Sequence, residues 1–531
     1  MQKLFTVRSN ILFRPNFSCS FHAAPTAMPP SLSTTASVVL LVAFILSLMV
    51  IPVIRRFSRA WGIVDKPDPE RKLHGKETAL CGGLAVFLST LTALSMVGLW
   101  AAGQGLADLQ SLSSEWFVLL GAATAILVLG LIDDAYTLRG RQKLLAQIVI
   151  LSSLVGSGTL FERIEFFGLE ISLGMFAYPV TLLWLLGAVN ALNLIDGADG
   201  MATTAGLIIC AGLGVLGIHT GNAPATLTAL ALCGSLIGFL VFNRPPASIF
   251  LGDAGSMLIG LIVGVLATWS ASPGTTVLAA APVAVLAIPL FDSAIAILRR
   301  SLTGRSIYAT DRAHLHHLLS ARFGPRGMLV VVAVLCGATT LAAVLSVVLE
   351  RPWIAVVGVL GVLGGLVLTR SFGHAELSLL LRKISGYAEA LVTPSHLCEE
   401  KTQSRNVHLQ GNRQWQLIWE PLVQFAHSHE LAKIELDLNL SWMHEGYHGA
   451  WHAVRLPEKA QQMQVRIPML AFDPKLHQDR IVGRLEVVTK GDHPRIYDVL
   501  ERLAQHLASV RPQLTEFLLS ADSVRSGRGQ H

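Results

Sequence analysis

Two asparagines and two aspartates lie within "NALNLIDGADG" at 190–200, directly after the apolar run "YPVTLLWLLGAV". Asn193 and Asp196 are three residues apart, as are Asp196 and Asp199, so neighbours share one side of a turn. The intervening glycines permit a tight backbone there. Carboxylate and amide oxygens suit Mg²⁺, although Asp199 alone is equally well explained as a cap of the next helix. The stretch is therefore either a helix exit or part of an active site.

Three more carboxylates occur where apolar runs begin or end. Asp133 and Asp134 close one run, where a pair of acids opposes the helix macrodipole and is disfavoured as a simple cap. Asp253 lies between glycines in "GDAGS" and opens another run. At a helix N-terminus, free backbone amides can hold a phosphate while the carboxylate holds a hard metal ion. Ionisable groups at membrane depth are functional candidates by default, so we interpret all three as site residues.

Histidines and arginines cluster around "DRAHLHH". The members of this basic cluster are His314, His316, His317, Arg299, Arg300, Arg305 and Arg312. A zinc site is disfavoured because only Asp311 could complete its ligands, so an anion-binding loop is the simpler interpretation. Carboxylates that suit Mg²⁺, basic groups that suit phosphates and adjacent apolar runs together indicate phosphoryl transfer from a nucleotide-like donor to a lipid.

The composition places these groups in a membrane protein. Of the 531 residues, 52% are hydrophobic and only 14% are charged, and the mean hydropathy is +0.54. Such a chain is too apolar for an ordinary soluble protein. About eleven apolar stretches are near the length that crosses a bilayer, roughly 18 residues or more. These predicted spans are 36–54, 79–101, 115–132, 144–160, 176–192, 201–219, 223–242, 254–271, 276–298, 327–349 and 352–369.

Basic residues predict the orientation of the spans. Lysines and arginines concentrate in alternate loops such as "IRRFSRAWGIVDKPDPERKLHGK" and "RGRQK", whereas "TGNAP" and "ASPGT" carry none. By the positive-inside rule the basic loops are cytoplasmic, which accounts for the net charge of +6 without a nucleic-acid partner. The N-terminus then lies outside and the tail inside. Nearly every polar cluster falls on the cytoplasmic face, which predicts one shared site.

We therefore predict an all-α polytopic membrane protein of about eleven transmembrane helices with a C-terminal soluble α+β domain. Residues 1–35 form an N-terminal extension, 36–370 the transmembrane domain and 371–531 the cytoplasmic domain, in which we find no catalytic motif. In the tail, strands are expected in "QMQVRIPMLAF" and "DRIVGRLEVVT", and a helix in "RIYDVLERLAQHLASV". The alternating segment "FERIEFFGLEIS" predicts a short external hairpin.

The order of the motifs closely resembles a known family. The pair "DD" with Lys143 and Gln147 downstream, then "NALNLIDGADG", "NRPPASIFLGDAGS", "PLFDS" and "DRAHLHH", is similar to the polyprenyl-phosphate N-acetylhexosamine-1-phosphate transferases. These are the WecA-like, MraY-related enzymes of glycosyltransferase family 4. The resemblance implies transfer of a sugar-1-phosphate, with N-acetylglucosamine-1-phosphate expected, from a UDP-N-acetylhexosamine to undecaprenyl or another polyprenyl phosphate. UMP would be released, and a cell-envelope polysaccharide would be initiated.

The resemblance also implies a role for each motif residue. Mg²⁺, with Mn²⁺ as an alternative, would be held by Asn193 and Asp253. The catalytic residues would be Asp133, Asp134, Asp196 and Asp253, of which the first two would position or deprotonate the lipid phosphate. The substrate-binding residues would be Lys143, Asn190, Asp199, Arg312, His314, His316 and His317. The implied setting is the bacterial plasma membrane with the site and tail cytoplasmic, and a homodimer is left open.

Other functions stay open at this point. A transporter also gathers acids in a helix bundle, but its sites lie near the membrane midplane and often involve inverted repeats, which we do not find. An inactive membrane scaffold is disfavoured by the intact aspartates. The phospho-N-acetylmuramoyl-pentapeptide transferases typically carry three consecutive histidines followed by an acid, whereas Leu315 interrupts the histidines here. The first cytoplasmic loop, with Lys72 and His74, lacks the prolines often found in the family.

Overall fold

The computed structural model describes most of the chain. The described residues are 30–65, 77–103, 113–166, 169–270, 280–303, 313–392, 403–410, 414–440, 445–453, 461–473, 478–490 and 496–526. Predicted features outside them are the N-terminal extension up to residue 29 and the side chains of Lys72, His74, Arg305, Asp311 and Arg312. The chain divides into two compact units. The first unit comprises Met1–Asp65, Thr78–Leu290 and Leu329–Val362, and the second comprises Lys66–Glu77, Phe291–Met328 and Leu363–His531.

Apolar helices dominate the chain up to residue 368. In chain order they are α1 (Pro30–Ala60), α2 (Gly82–Gly103), α3 (Ser113–Tyr136), α4 (Gly140–Gly156), α5 (Ala177–Ile195), α6 (Met201–Thr220), α7 (Ala223–Asn243), α8 (Gly252–Ser270), α9 (Ala280–Val285), α10 (Ala287–Leu302), α11 (Leu315–Val348) and α12 (Pro352–Leu368). Short strands lie between them, namely β1 (Val64–Asp65), β2 (Thr78–Ala79), β3 (Arg163–Phe166) and β4 (Leu169–Ser172). Every predicted span overlaps at least one helix.

Eight of these helices are long and apolar enough to cross a membrane, counted over the described residues. They are α1, α2, α3, α5, α6, α7, α8 and α11. The predicted number of eleven is not confirmed, because α4 and α12 have only 17 residues each and the ninth predicted span is broken into α9 and α10. The chain is therefore a multi-pass membrane protein with fewer full-length spans than its hydrophobic runs indicated.

The predicted hairpin is confirmed as a pair of strands. β3 and β4 pair antiparallel, with Arg163 opposite Ser172 and Ile164 opposite Ile171. Alternating apolar and polar residues produce such a ribbon because successive side chains point to opposite faces. Its location outside the membrane stays a prediction.

Helix α8 is enclosed by other helices of the first unit. Every residue from Ala254 to Ser270 is buried. A Cβ atom at Gly260 would lie 2.7 Å from the carbonyl oxygen of Ala188 in α5, so glycine is required for this approach. Small residues of this kind let transmembrane helices pack with their backbones close together. Helix α8 is thus held rigidly, and so is the polar sequence at its N-terminus.

A short ladder of backbone hydrogen bonds orders the chain that leads into α8. Strands β1 and β2 pair antiparallel, and Ala79 of β2 forms a parallel bridge with Ile249. The amide of Phe250 donates to the carbonyl of Ala79 at 2.8 Å. The side chain of Asn243, at the end of α7, donates to the carbonyl of Ile249 at 2.9 Å. The entry into α8 is therefore tied to two other parts of the first unit.

The second unit contains an antiparallel sheet of five strands. The strands are β5 (Gln403–Gln410), β6 (Lys433–Leu440), β7 (Glu445–His452), β8 (Gln462–Asp473) and β9 (Gln478–Lys490), in the spatial order β5-β7-β6-β9-β8. The accompanying helices are α13 (His374–Val392), α14 (Gln416–Ser428) and α15 (Ile496–Ser526). Buried Trp415, Trp419 and Leu436 belong to one apolar core. The predicted α+β tail is confirmed.

Strand β7 was not predicted, although it is paired on both sides by β5 and β6. Its sequence, "EGYHGAWH", has two glycines and only two large apolar residues, so it shows little strand character by itself. Gly449 leaves room for the ring of Trp419 in α14, because a Cβ atom there would lie 2.7 Å from ring atom Cδ2. Packing against the helix and pairing with two neighbours make this segment a strand.

Candidate active site

The ammonium group of Lys143 lies among oxygens from three other helices. Its Nζ is 2.8 Å from Oδ2 of Asp133, 2.7 Å from Oδ2 of Asp253 and 2.9 Å from Oδ1 of Asn193. The amide nitrogen of Asn193 donates to Oδ1 of Asp253 at 2.8 Å. These four residues, the acidic cluster from here on, come from the end of α3, the start of α4, the end of α5 and the start of α8.

Charge and exposure make the acidic cluster able to take a ligand. One ammonium group is shared by the carboxylates of Asp133 and Asp253, so these three side chains carry a net negative charge. The side chain of Asp253 is 37% exposed, whereas that of Asp133 is 7% exposed. Two carboxylate oxygens and one amide oxygen surround the ammonium group of Lys143 at hydrogen-bonding distance. Hard cations such as Mg²⁺ also prefer oxygen ligands.

The possible metal ligands of the acidic cluster include an amide oxygen, unlike those of a site made only of acids, histidines and cysteines. Among the described residues, no three His, Cys, Asp or Glu side chains are grouped as metal ligands would be. The acidic cluster includes Asn193, whose carbonyl oxygen is a neutral oxygen donor. Two carboxylates, one amide oxygen and water molecules would suit Mg²⁺, which usually keeps several waters.

Asp134 does not contact Lys143 in the way that Asp133 does. Its Oδ1 accepts a hydrogen bond from the backbone amide of Asp253 at 2.8 Å, and its Oδ2 accepts one from the amide of Ala254 at 3.3 Å. The adjacent residue Asp133 accepts instead from the amide of Leu138 at 2.7 Å and pairs with Lys143. The two neighbouring acids therefore have different partners.

Asp196 lies just past the last residue of α5 and is partly buried. Desolvation raises the pKa of its carboxyl well above the usual range, and the negative charges of Asp253, Asp134 and Asp199 add to this effect. Because neighbouring anions contribute to the rise after desolvation, a cation bound beside them would lower the pKa in part. Asp196 thus belongs to the same electrostatic environment as the acidic cluster.

Asp199 and Asn190 make structural contacts in the first unit. Oδ2 of Asp199 accepts a hydrogen bond from the amide of Ala247 at 2.9 Å, in the loop that precedes α8. The side-chain amide of Asn190 donates to Oε1 of Gln147 at 2.8 Å and to the carbonyl of Leu186 at 2.9 Å. The structure thus places both residues in positions that order neighbouring segments.

Gln147 and Ser256 were quoted within the family motifs but were not predicted as site residues. Gln147 is fully buried and also donates to Sδ of Met257 at 3.2 Å. Ser256 accepts a hydrogen bond from Nδ2 of Asn193 at 3.0 Å. Gln147 lies four residues after Lys143 and Ser256 three residues after Asp253, so helical spacing alone could have identified both.

The second unit holds the histidines in a different way. Nδ1 of His314 is 3.0 Å from Oδ2 of Asp292, and Oδ1 of Asp292 accepts the amide hydrogen of Leu315 at 2.8 Å. The ring of His316 stacks on that of His314 with centroids 5.9 Å apart, and the ring of His317 lies 4.1 Å from that of His316. The carboxylate of "PLFDS" therefore orders the histidine segment, residues 313–317.

Arg299 is engaged within the second unit. It forms a buried ion pair with Glu376 of α13, and its Nη2 donates to the carbonyl of Ala313 at 2.9 Å. We interpreted Arg299 as part of an anion-binding loop, but its charge is neutralised by Glu376 and its side chain braces the histidine segment. The predicted binding residue Arg312 lies outside the described residues. That the acidic cluster and the histidines serve one shared site stays a prediction.

Comparisons with known proteins agree with the motifs. Residues 116–271 match the model of the family described as glycosyl transferase family 4. A probable undecaprenyl-phosphate N-acetylglucosaminyl 1-phosphate transferase of Bacillus subtilis is 33% identical over 289 residues, covering 53% of this chain and 77% of the relative. A decaprenyl-phosphate N-acetylglucosaminephosphotransferase of Mycobacterium leprae is 36% identical over 275 residues, covering 47% of this chain and 68% of the relative. A phospho-N-acetylmuramoyl-pentapeptide-transferase of Clostridium beijerinckii is 29% identical, covering 43% and 70%.

Proposed function

Because the chain belongs to glycosyl transferase family 4, we propose that it takes N-acetylglucosamine-1-phosphate from UDP-N-acetylglucosamine and transfers it to a polyprenyl phosphate, releasing UMP. Transfer of N-acetylglucosamine-1-phosphate to polyprenyl phosphate is its reaction class, as the names of its relatives indicate. We place the reaction at the cytoplasmic face of the bacterial plasma membrane, where a cell-envelope polysaccharide would be initiated.

The chemistry is a phosphoryl transfer. An oxygen of the lipid phosphate bonds to the phosphorus that carries the sugar, and the bond from that phosphorus to the bridging oxygen of UMP breaks. UMP leaves with the bonding electrons, and the lipid gains a sugar diphosphate. If the lipid phosphate arrives as a monoanion, its proton passes to Asp133. Such a reaction depends mainly on positioning and on neutralising the charge of the phosphates.

The observation that supports this proposal best is the acidic cluster itself. Four helices bring Asp133, Asn193 and Asp253 within hydrogen-bonding distance of Lys143 at the start of α8. The buried carboxylate of Asp133 is suited to hold or accept a proton, and the more exposed carboxylate of Asp253 is suited to bind a cation. Lys143 is assigned to substrate binding, because its ammonium group could exchange a carboxylate of the acidic cluster for a phosphate oxygen.

Mg²⁺ would be held by Asn193 and Asp253, with Mn²⁺ as an alternative. The oxygen-only donor set supports this choice, since such ligands favour Mg²⁺ over softer metals. When bound, the metal would neutralise negative charge on the diphosphate. The same charge would lower the pKa of Asp196, which neighbouring carboxylates help to raise.

The remaining residues are assigned to substrate binding. Asp199 contacts the loop before α8, and Asn190 contacts Gln147. From these positions both residues would shape the nucleotide pocket. His314, His316 and His317, together with Arg312, would engage the donor phosphates or sugar. Asp292 would hold His314 with Nδ1 directed at the carboxylate, which leaves Nε2 of the ring for the ligand.

The donor is expected to be a plain N-acetylamino sugar. Leu315 interrupts the histidines, and its side chain is buried while its amide is held by Asp292. The interrupted motif cannot present three consecutive imidazoles, unlike that of the muramoyl-pentapeptide enzymes. The relative named as such an enzyme covers less of this chain than the N-acetylglucosamine transferases do. Muramoyl-pentapeptide transfer is thus the second candidate.

The test is UMP release by the full purified chain with polyprenyl phosphate and Mg²⁺, using a panel of UDP-sugars. We expect release with UDP-N-acetylglucosamine or a related N-acetylamino sugar, and little with the muramoyl-pentapeptide donor. Asp253→Asn protein is the matched control for contaminating activity. Faster turnover of the muramoyl-pentapeptide donor would favour the second candidate, and no release with any UDP-sugar would reject the proposal.

A further inference from the structure

We propose that Asp134 is a positioning residue, which caps helix α8 from the end of helix α3 and so holds Asp253 in place. This role would replace the catalytic one that the resemblance implies for Asp134: Asp133 contacts Lys143 in the acidic cluster, while Asp134 orders the backbone at the start of α8. This inference rests on the proposed function only in taking Asp253 as a metal ligand.

The hydrogen bonds of Asp134 carry the inference. Its two carboxylate oxygens accept from the consecutive backbone amides of Asp253 and Ala254, at 2.8 and 3.3 Å. The first amides of a helix have no partner within the helix and need an acceptor from elsewhere. A carboxylate at that end is also stabilised by the helix dipole. Asp134 therefore meets the requirements of an N-terminal cap, although it lies 119 residues away in the sequence.

The backbone at Gly252 is shaped to admit this carboxylate. Gly252 has a φ of +75°, a conformation that favours glycine. A Cβ atom there would lie 2.6 Å from Oδ2 of Asp134 and 2.8 Å from the carbonyl oxygen of Leu80. Any side chain at this position would displace the carboxylate. The glycine before Asp253 is thus explained by the cap as well as by phosphate binding.

Close packing of α3 against α8 fixes the distance between cap and helix. Gly130 lies one turn before Asp134, and a Cβ atom there would collide with the Cα atom of Ala254. On another side of α8, a Cβ atom at Gly83 of α2 would collide with the backbone of Gly255. The two glycines let three backbones meet at the first turn of α8. Movement of that turn away from Asp134 is therefore opposed by packing as well as by hydrogen bonds.

Asp133, the acid next to Asp134, makes different contacts. Consecutive residues on a helix point about 100° apart, so Asp133 and Asp134 cannot present their carboxylates to the same place. Asp133 contacts Lys143, and Lys143 in turn contacts the side chain of Asp253. Asp134 contacts the main chain of Asp253 instead. One acid thus acts on the cluster directly, and the other acts through the position of Asp253.

The test compares three substitutions in the full chain, purified in detergent. Asp134→Asn keeps one oxygen that can accept from the amide of Asp253, whereas Asp134→Ala keeps none. Asn222→Ala is the matched control. Asn222 caps α7 by accepting from the amide of Ala225 at 3.0 Å, and it donates to the carbonyl of Trp269 in the last turn of α8 at 3.1 Å, so its loss removes contacts at the end of α8 opposite to Asp253.

Two readouts need no substrate and a third reports on activity. Mn²⁺ binding is titrated by electron paramagnetic resonance, and amide hydrogen exchange is followed by mass spectrometry across residues 250–257. We expect Asp134→Ala to weaken Mn²⁺ binding about tenfold, as the loss of an orienting group typically does, and to speed exchange at this segment. The Mg²⁺ concentration for half-maximal transfer should rise equally. Asp134→Asn, which loses only one of the two hydrogen bonds, should stay within about threefold of wild type, and Asn222→Ala should not alter Mn²⁺ binding.

Other outcomes would overturn the assignment. If Asp134→Asn and Asp134→Ala lost turnover equally at saturating Mg²⁺, with Mn²⁺ binding and exchange unchanged, the carboxylate itself would act in the reaction. Should Asp134→Ala fail to fold, Asp134→Asn still decides, because the inference requires this variant to keep Mn²⁺ binding and turnover. A wild-type chain that binds Mn²⁺ but releases no UMP would reject the proposed function and leave the capping test valid.

Discussion

The acidic cluster and the histidine segment use carboxylates in opposite ways. In the acidic cluster, Asp253 is 37% exposed and shares Lys143 with Asp133, so a ligand can exchange for one of these partners. In the histidine segment, the side chain of Asp292 is 1% exposed and both its oxygens are occupied by His314 and Leu315. A buried carboxylate with all partners inside the protein orders its surroundings, since leaving them unpaired is costly. The exposed carboxylate of Asp253 is the one available to bind a cation.

The largest effect should follow loss of the exposed ligands. Asp253→Asn and Asn193→Ala remove groups that would hold Mg²⁺, and we expect transfer to fall by at least about a thousandfold, because several kcal/mol of charge stabilisation are lost. The apolar spans should keep both variants folded in detergent. UMP release and gel filtration are measured together. Near-normal activity in both variants, with Mg²⁺ still required, would remove these residues from the metal site.

Asp133→Asn should have the second-largest effect on transfer. It keeps the shape of the side chain but cannot accept a proton, so we expect the chemical step to slow by about a hundredfold. A single-turnover measurement with bound UDP-N-acetylglucosamine separates this step from substrate binding. Asp134→Asn is the matched neighbour and should slow the step far less. A weaker donor affinity with an unchanged chemical step would reassign Asp133 to nucleotide binding.

Asp292→Ala tests whether the buried carboxylate of Asp292 orders the histidine segment. It leaves Nδ1 of His314 and the amide of Leu315 without their acceptor, and we expect kcat/KM for the donor to fall by about tenfold. Asp292→Asn keeps one acceptor oxygen, so its kcat/KM for the donor should fall less. Steady-state rates at varied donor concentration give the result. Unchanged kcat/KM in Asp292→Ala would show that the histidine segment is ordered by other contacts.

Truncation of the tail should have the smallest effect. A chain ending after Val392 keeps Glu376 and every candidate catalytic group, since all of those groups lie at or before His317. It loses the hydrogen bond from Nη2 of Arg484 to the carbonyl of Thr303, 2.9 Å long, near the end of α10. We expect UMP release within about threefold of the full chain, as one partly exposed hydrogen bond contributes little.

Arg484→Ala is the matched variant for the truncation, because it removes that hydrogen bond and keeps the tail. Equal small losses in both proteins would mean that this contact is all the tail supplies to turnover. An inactive, correctly inserted truncation would instead show that the sheet domain completes the site.

Much of the architecture could be predicted from hydrophobic patterning. The apolar runs identified α1 and α8 as helices, and alternation identified β8 and β9. The number of full spans could not be predicted, because a run of apolar residues does not reveal where a helix breaks, as between α9 and α10. Strand β7 was missed because its stability comes from pairing with β5 and β6 instead of from its own residues.

For the candidate site, the sequence by itself determined which residue types are present and near which helix ends they lie. Spacing of three or four residues places side chains on one helix face, but it does not say which of two adjacent acids faces a partner helix. Only the tertiary structure decided that Asp133 meets Lys143 while Asp134 meets the backbone of α8. Those contacts join residues 10 to 120 positions apart, and they depend on how closely the glycines of α2, α3 and α8 let the helices pack.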